Sequence, residues 1–185
     1  MLGAEHFDRI VDFLRGIGLP LEVGPFGPEG FLPGVTIRQG VMHVDPDHLH
    51  VSGDLLHEAG HIAIVPARLR PLLGTNLETS LREAAGDDPD PQARIALMHT
   101  ETAAIAWSYA AMKALDLPPE TLFFAGGYRL EEQQRDRFMY LLETGNQFGI
   151  AHLAMLGMTG PCGVMALLHQ NGLAPFPAMT RWLLH

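Results

Sequence analysis

One pentapeptide in this chain has the residue types and the spacing to do chemistry: His57-Glu58-Ala59-Gly60-His61. In a helix, residues four apart stand one turn above each other on the same face, so His57 and His61 can aim imidazole nitrogens at one point. Glu58 sits about 100° further round. There it is close enough to touch a ligand of a metal held by the two histidines without binding the metal itself. The surrounding segment, 52–65, has the makings of such a helix, with Ser52 placed as an N-cap and Pro66 closing the far end. Leu55, Leu56, Ala59, Ile62 and Ala63 make it apolar on most sides, which predicts burial. Two histidines and a carboxylate in such a helix are costly unless something satisfies them, and a zinc ion would do so. Ten histidines in 185 residues raise the rate of chance matches, but chance matches seldom fall in an apolar, capped helix.

A third ligand is sought on the next informative helix, read over 91–115 and opened by Pro91. From Glu101 to Met112 the only charged group is Glu101, and every face is small or apolar. A helix hydrophobic all round is buried. A buried carboxylate needs a proton, an arginine or a metal. Arg94 and Arg129 are the alternative partners; the preferred reading makes Glu101 the third metal ligand, forty residues after His61. His99 is its rival. Two residues apart, His99 and Glu101 lie about 200° apart on a helix, so both cannot face one ion, and His99 precedes the wholly apolar section.

The motif 57–61, followed by a glutamate on a later helix, resembles the zincin metallopeptidases, specifically the gluzincin branch. The resemblance spans roughly 35–115. Many gluzincins carry an acidic residue four positions after the third ligand, where this chain has Ile105. The resemblance implies a minimal zincin-like fold: α+β and mainly helical, with a small β-sheet or hairpin packed on a helical core beside an active-site cleft. It also implies a zinc-dependent hydrolase. His57, His61 and Glu101 would hold Zn2+ and leave a fourth position for water. Glu58, as general base, would take the proton of that water during attack on a carbonyl and pass it to the leaving amine. A peptide or protein is the implied substrate, and an extended peptide would add to the strand edge of 41–44. Two other readings stand beside it: a non-catalytic zincin-like binding module, which has no need of Glu58, and a metallohydrolase of a small amide or ester.

The rest of the chain must position these residues. A length of 185 residues, 47% hydrophobic and 18% charged, suits a single domain over 1–185 with a real core and room for a homodimer interface. The net charge of −9 argues against nucleic-acid and anionic-membrane partners. Cys162, the single cysteine, excludes an internal disulfide and suits a reducing cytoplasm. Glu5, Asp8 and Asp12 interrupt the N-terminal apolar pattern, which excludes a signal peptide there. An amphipathic helix is predicted over 4–17, then a Gly/Pro-rich connection over 18–33. Short strands follow at 35–38 and 41–44, joined around Gln39-Gly40. An irregular insertion follows over 66–91, with a weak helix near 77–85 and the acidic tract Asp87-Asp88-Pro89-Asp90, read as a solvated loop or a lid.

After a turn at Gly126-Gly127-Tyr128, helices are predicted over 130–144 and on to 156. His152 lies among Ile150, Ala151, Leu153 and Ala154. A histidine in such a setting is ordinarily a core residue with one satisfied hydrogen bond. Its catalytic alternative is to donate to a developing oxyanion, a role for which Tyr109, Tyr128 and Tyr140 compete. His43, His48 and His50 read as surface or rim positions and Cys162 as a small buried residue, not a zinc thiolate. The apolar stretch 175–185 is expected to dock on the body or on a second subunit.

Overall fold

The computed structural model describes residues 3–30, 32–74, 79, 90, 94, 100–124 and 132–185, and shows the α+β, mainly helical fold that the sequence predicts. A 3-10 turn at Ala4–His6 leads into α1, Phe7–Gly16, whose Ile10, Val11 and Leu14 are buried at helical spacing. Three strands follow: β1, Leu21–Val23; β2, Val35–Arg38; and β3, Val41–Val44. β2 and β3 form the expected hairpin, with Val35 opposite Val44 and Arg38 opposite Val41. Its turn residues Gln39 and Gly40 both have positive φ, 51° and 76°. That geometry matches the right-handed twist of the paired strands.

Two expectations are corrected here. β1 lies inside the segment read as irregular; three residues carry no local pattern, and β1 exists because it pairs in parallel with β3, Leu21 opposite Met42 and Val23 opposite Val44. The strand order is therefore β1-β3-β2. β3 is the middle strand, so 41–44 offers no free edge to an extended peptide. After β3 the Asp45 carboxylate gathers the turn: it accepts from Gly27 N at 2.7 Å and Asp47 N at 3.0 Å and pairs with His48 Nδ1 at 3.1 Å. The Gly27 hydrogen bond, chief among these contacts, holds the carboxyl below its ordinary range.

The motif helix is α2, Asp54–Ala63, in which every residue from Leu55 to Ala63 is buried. Ser52 does not cap it. The N-cap position is Gly53, no side chain caps the helix, and the buried Ser52 hydroxyl has no hydrogen-bond partner among the described residues. Gly53 is required because a Cβ there would lie 1.8 Å from Thr121 O, where the 3-10 turn Pro119–Thr121 lies on the helix start.

α3, Thr100–Ala114, is buried from Ala103 to Met112 and crosses α2 in the antiparallel sense. The crossing is close. A Cβ on Gly60 would lie 2.8 Å from Ala104 O and 3.0 Å from Ala104 Cα. Further along, the Ser108 hydroxyl lies 2.7 Å from Ala104 O and 3.0 Å from Leu56 O, one proton serving two carbonyls of the pair. α4, Glu132–Glu143, is separated by Gly145 (φ 73°) from α5, Phe148–Met155, which packs on α3; a short α6, Met165–Leu168, follows.

The C-terminal stretch docks on the body. Leu184 N donates to Ala63 O at 2.9 Å at the end of α2, and Arg70 donates to both Val65 O and Leu184 O. Trp182 meets Trp107 of α3 edge-on at 5.4 Å and Phe13 of α1 at 5.0 Å, and its carbonyl accepts from Trp107 Nε1 at 2.9 Å. No helix among the described residues is long and apolar enough to cross a membrane. Of the helix expected over 77–85 only Thr79 is described, and of 91–99 only Arg94, both helical; the turn at Gly126-Gly127-Tyr128 falls outside the described residues. So does the acidic tract apart from Asp90, which pairs with Arg68 at 2.9 Å.

The crossing yields a test. Gly60→Ala forces backbone against backbone and should lower the unfolding free energy of chelator-treated protein by about 1–3 kcal/mol. Gly16→Ala, at the end of α1 with nothing within 4 Å of the added methyl, should stabilise by up to ~1 kcal/mol. Equal denaturant midpoints for the two variants would contradict the close crossing.

Candidate metal centre

Burial and helical period together set the centre. Along α2 the rings of His57 and His61 meet edge-on, 88° apart in plane, with Nε2 atoms 3.3 Å apart. Each residue is only 7% exposed. The antiparallel crossing at Gly60 brings the first turn of α3 over this pair. Glu101 then places Oε1 3.5 Å from His57 Nε2 and Oε2 3.3 Å from His61 Nε2. The structure thus gathers all three predicted ligands, one donor atom of each lying within 4.8 Å of the others.

The residues fit a metal ion on the chemistry and spacing of these atoms. Two imidazole nitrogens and a carboxylate are a common zinc donor set, and bonds of 2.0–2.1 Å in a tetrahedron put neighbouring donors about 3.3–3.4 Å apart. The two imidazole nitrogens, 3.3 Å apart, match that edge length, and the carboxylate turns one oxygen to each of them, Oε1 at 3.5 Å and Oε2 at 3.3 Å.

One expectation about Glu101 is corrected. Its side chain is 59% exposed, not buried. The all-apolar composition of α3 governs the part from Ala103 onward, while Glu101 stands at the helix end where the faces open to solvent. The candidate centre therefore has two buried donor residues on α2 and one exposed donor residue on α3, and its exposed side is that of Glu101.

Electrostatics follow from that asymmetry. Burial, then the neighbouring His61, pushes His57 down to about 4, against the pull of Glu101. The imidazole is neutral, with a lone pair to donate, at any mildly acidic or higher pH. Glu58, 6% exposed, is pushed up to about 7, chiefly by burial, with Glu101 and Asp54 adding to the rise and His61 opposing it. Burial would raise Glu101, but its hydrogen bond with His61 and the two imidazoles bring it below its ordinary value. A carboxyl near 7 is matched to proton transfer at neutral pH.

Asp54 is a residue whose part at the site was missed in the sequence. Four residues before Glu58, it shares that face of α2 and is itself raised to about 6, mainly by burial, against the His50 charge. The i, i+4 spacing of the two acids was the available signal.

The remaining candidates scatter. His152 is buried on α5, 4% exposed, and is not in the ligand group. Tyr109 is buried against Phe176 at 5.9 Å, and Tyr140 is exposed. Cys162 is half-buried with Sγ 3.6 Å from Gly145 O, and burial raises its thiol, which does not favour a thiolate ligand. His99, Tyr128 and Arg129 lie outside the described residues. Ile105 is buried, and His61 Nδ1 has no hydrogen-bond partner among the described residues.

The Glu58 environment makes a prediction for metal-free protein. With its pKa at about 7 in the folded chain and about 4.3 unfolded, folding binds a proton between those values, so stability falls as pH rises through that window. Glu58→Gln removes the penalty. In chelator, the variant should be more stable than wild type at pH 8 by on the order of 1–3 kcal/mol. The gap should close by about pH 4.5. A pH-independent gap in thermal melts would show that Glu58 is not held against its charge by the fold.

No protein-family model matches this chain, and neither a curated protein nor a solved structure does.

Proposed function

We propose that this protein is a zinc-dependent hydrolase of the zincin type, with Glu58 as its general base. The observation that supports the reading most is the convergence of His57, His61 and Glu101, with Glu58 buried beside them and outside the ligand set. Two imidazoles and a carboxylate suit zinc and also ferrous iron; the H-E-x-x-H resemblance favours zinc, and these three donors leave a four-coordinate ion one open position. When bound, zinc acts as a Lewis acid that polarises a carbonyl and brings the pKa of a coordinated water to about 7.

The chain's own residues supply the rest. His57 and His61 offer Nε2 from a rigid, buried helix, and burial keeps His57 in the neutral, donating form. Glu101 brings negative charge from the solvent side, where substrate and water have access. Glu58 receives a proton from the attacking water and returns it to the leaving group, and its burial sets its proton affinity for both steps.

A peptide bond is the substrate favoured by the H-E-x-x-H resemblance. The enclosed position of β3 favours a second reading, a small amide or ester, because the strand edge expected to pair with an extended peptide is occupied by β1 and β2. A non-catalytic binding module has no use for a buried carboxyl poised near neutrality.

Protein purified without chelators should carry one zinc per chain by elemental analysis. His61→Ala should abolish tight binding, and Glu101→Ala should weaken it strongly; full occupancy in His61→Ala would remove the site. Glu58→Gln should keep its zinc and its fold, while hydrolysis of unstructured peptides and of a panel of small amides and esters drops by about 10²–10⁴. Equal turnover by variant and wild type would refute the hydrolase reading.

A further inference from the structure

The exposed third ligand raises a question of placement. A glutamate has several rotatable bonds, and Glu101, 59% exposed, meets the two histidines only through its carboxylate oxygens. Its reach to both histidines then depends on how firmly its backbone is set. The structure shows what sets it. Gln147, just before α5, is 4% exposed and donates from Nε2 to Thr102 O at 3.2 Å, the carbonyl immediately after Glu101. Its Oε1 is buried without a hydrogen-bond partner among the described residues. An amide half satisfied in the interior is unfavourable where an apolar residue would pack, so its contribution lies in the bond it does make.

Gly149 brings α5 onto the same peptide. A Cβ there would lie 1.9 Å from Thr102 O, 2.3 Å from Thr102 C and 2.7 Å from Ala103 N. Only a glycine lets the positive end of α5 rest on that carbonyl. Two independent features of one segment thus converge on the peptide that carries Glu101 into α3.

Resting on the metal-site reading above, we propose that Gln147 is a positioning residue for the metal centre: through the Thr102 carbonyl it fixes the first turn of α3 and with it the direction of Glu101. The side chain touches neither metal nor substrate. Removing its donor loosens Glu101 and leaves the two histidines on α2 untouched.

The test uses Co2+ as the probe, by absorption titration of the full chain in four forms: wild type, Gln147→Met, Glu101→Ala and the double variant. Gln147→Met keeps the length of the side chain and removes the donor. Loss of a group that orients a ligand typically costs about 10–100-fold in metal affinity, and that loss is expected in the wild-type background, with a changed cobalt spectrum. In the Glu101→Ala background Gln147→Met should cost nothing further, because its route to the metal is gone. A residue with a merely structural role would weaken binding equally in both backgrounds, and that result overturns the proposal, as does undiminished affinity in Gln147→Met. Should Gln147→Met not fold, Gln147→Asn withdraws the amide by one methylene and must show the same Glu101-dependent loss. Failure of the wild-type chain to bind Co2+ at all removes the metal reading itself, an outcome distinct from the other two.

Discussion

The structure depends on one contact, the approach of α2 to α3 where Gly60 lies against Ala104. Any side chain at 60 would part the two backbones and draw the first turn of α3, with Glu101, away from His57 and His61. The rest of the fold serves that approach. Ser108 shares its hydroxyl between carbonyls of both helices, the 3-10 turn at Pro119–Thr121 sits on the bare start of α2, and Trp182 and Leu184 close the other end. Backbone contact at this range leaves little freedom to slide, because interiors are close-packed and not fluid.

The same closeness concentrates electrostatic cost in a single helix. His57, Glu58 and His61 are buried within five residues, with Asp54 one turn ahead. In a metal-free chain these groups adjust by shedding charge: His57 resists protonation and Glu58 resists ionisation. A divalent cation would reverse the local balance, favouring the ionised carboxylates and the neutral imidazoles together.

How much of this is legible in the sequence depends on whether a feature is local. The alignment of His57 and His61 follows from the helical repeat alone, and the burial of α3 from an uninterrupted run of small and apolar residues. The hairpin could be read from Gln39-Gly40 between two alternating segments. What escaped reading depends on distant chain. β1 is a strand only because β3, well beyond it in the chain, lies beside it. Ser52 has the chemistry of a cap yet is fully buried and caps nothing, and the chain at Gly3 lies against its hydroxyl. Glu101 was expected to be buried because composition describes a helix as a whole and says little of its open end. Nothing near Gln147 or Gly149 in sequence announces that both meet a carbonyl some 45 residues earlier.

The knot at Asp45 sets the small sheet apart from α2 in its answer to acid. Its carboxylate ties the loop before β2 to the turn after β3, and the Gly27 bond keeps it ionised below the usual carboxylate range. His57, held neutral by burial, begins to oppose the fold earlier: the unfolded chain takes up its proton from about pH 6.5 downward, the buried ring only near 4. Glu58 and Asp54, raised to about 7 and about 6, work the other way over the same range, because the fold takes up their protons before the unfolded chain does. In acid α2 thus carries opposed contributions within a few residues of one another, while the fastening at the end of the small sheet keeps its full worth down to the ordinary carboxylate range.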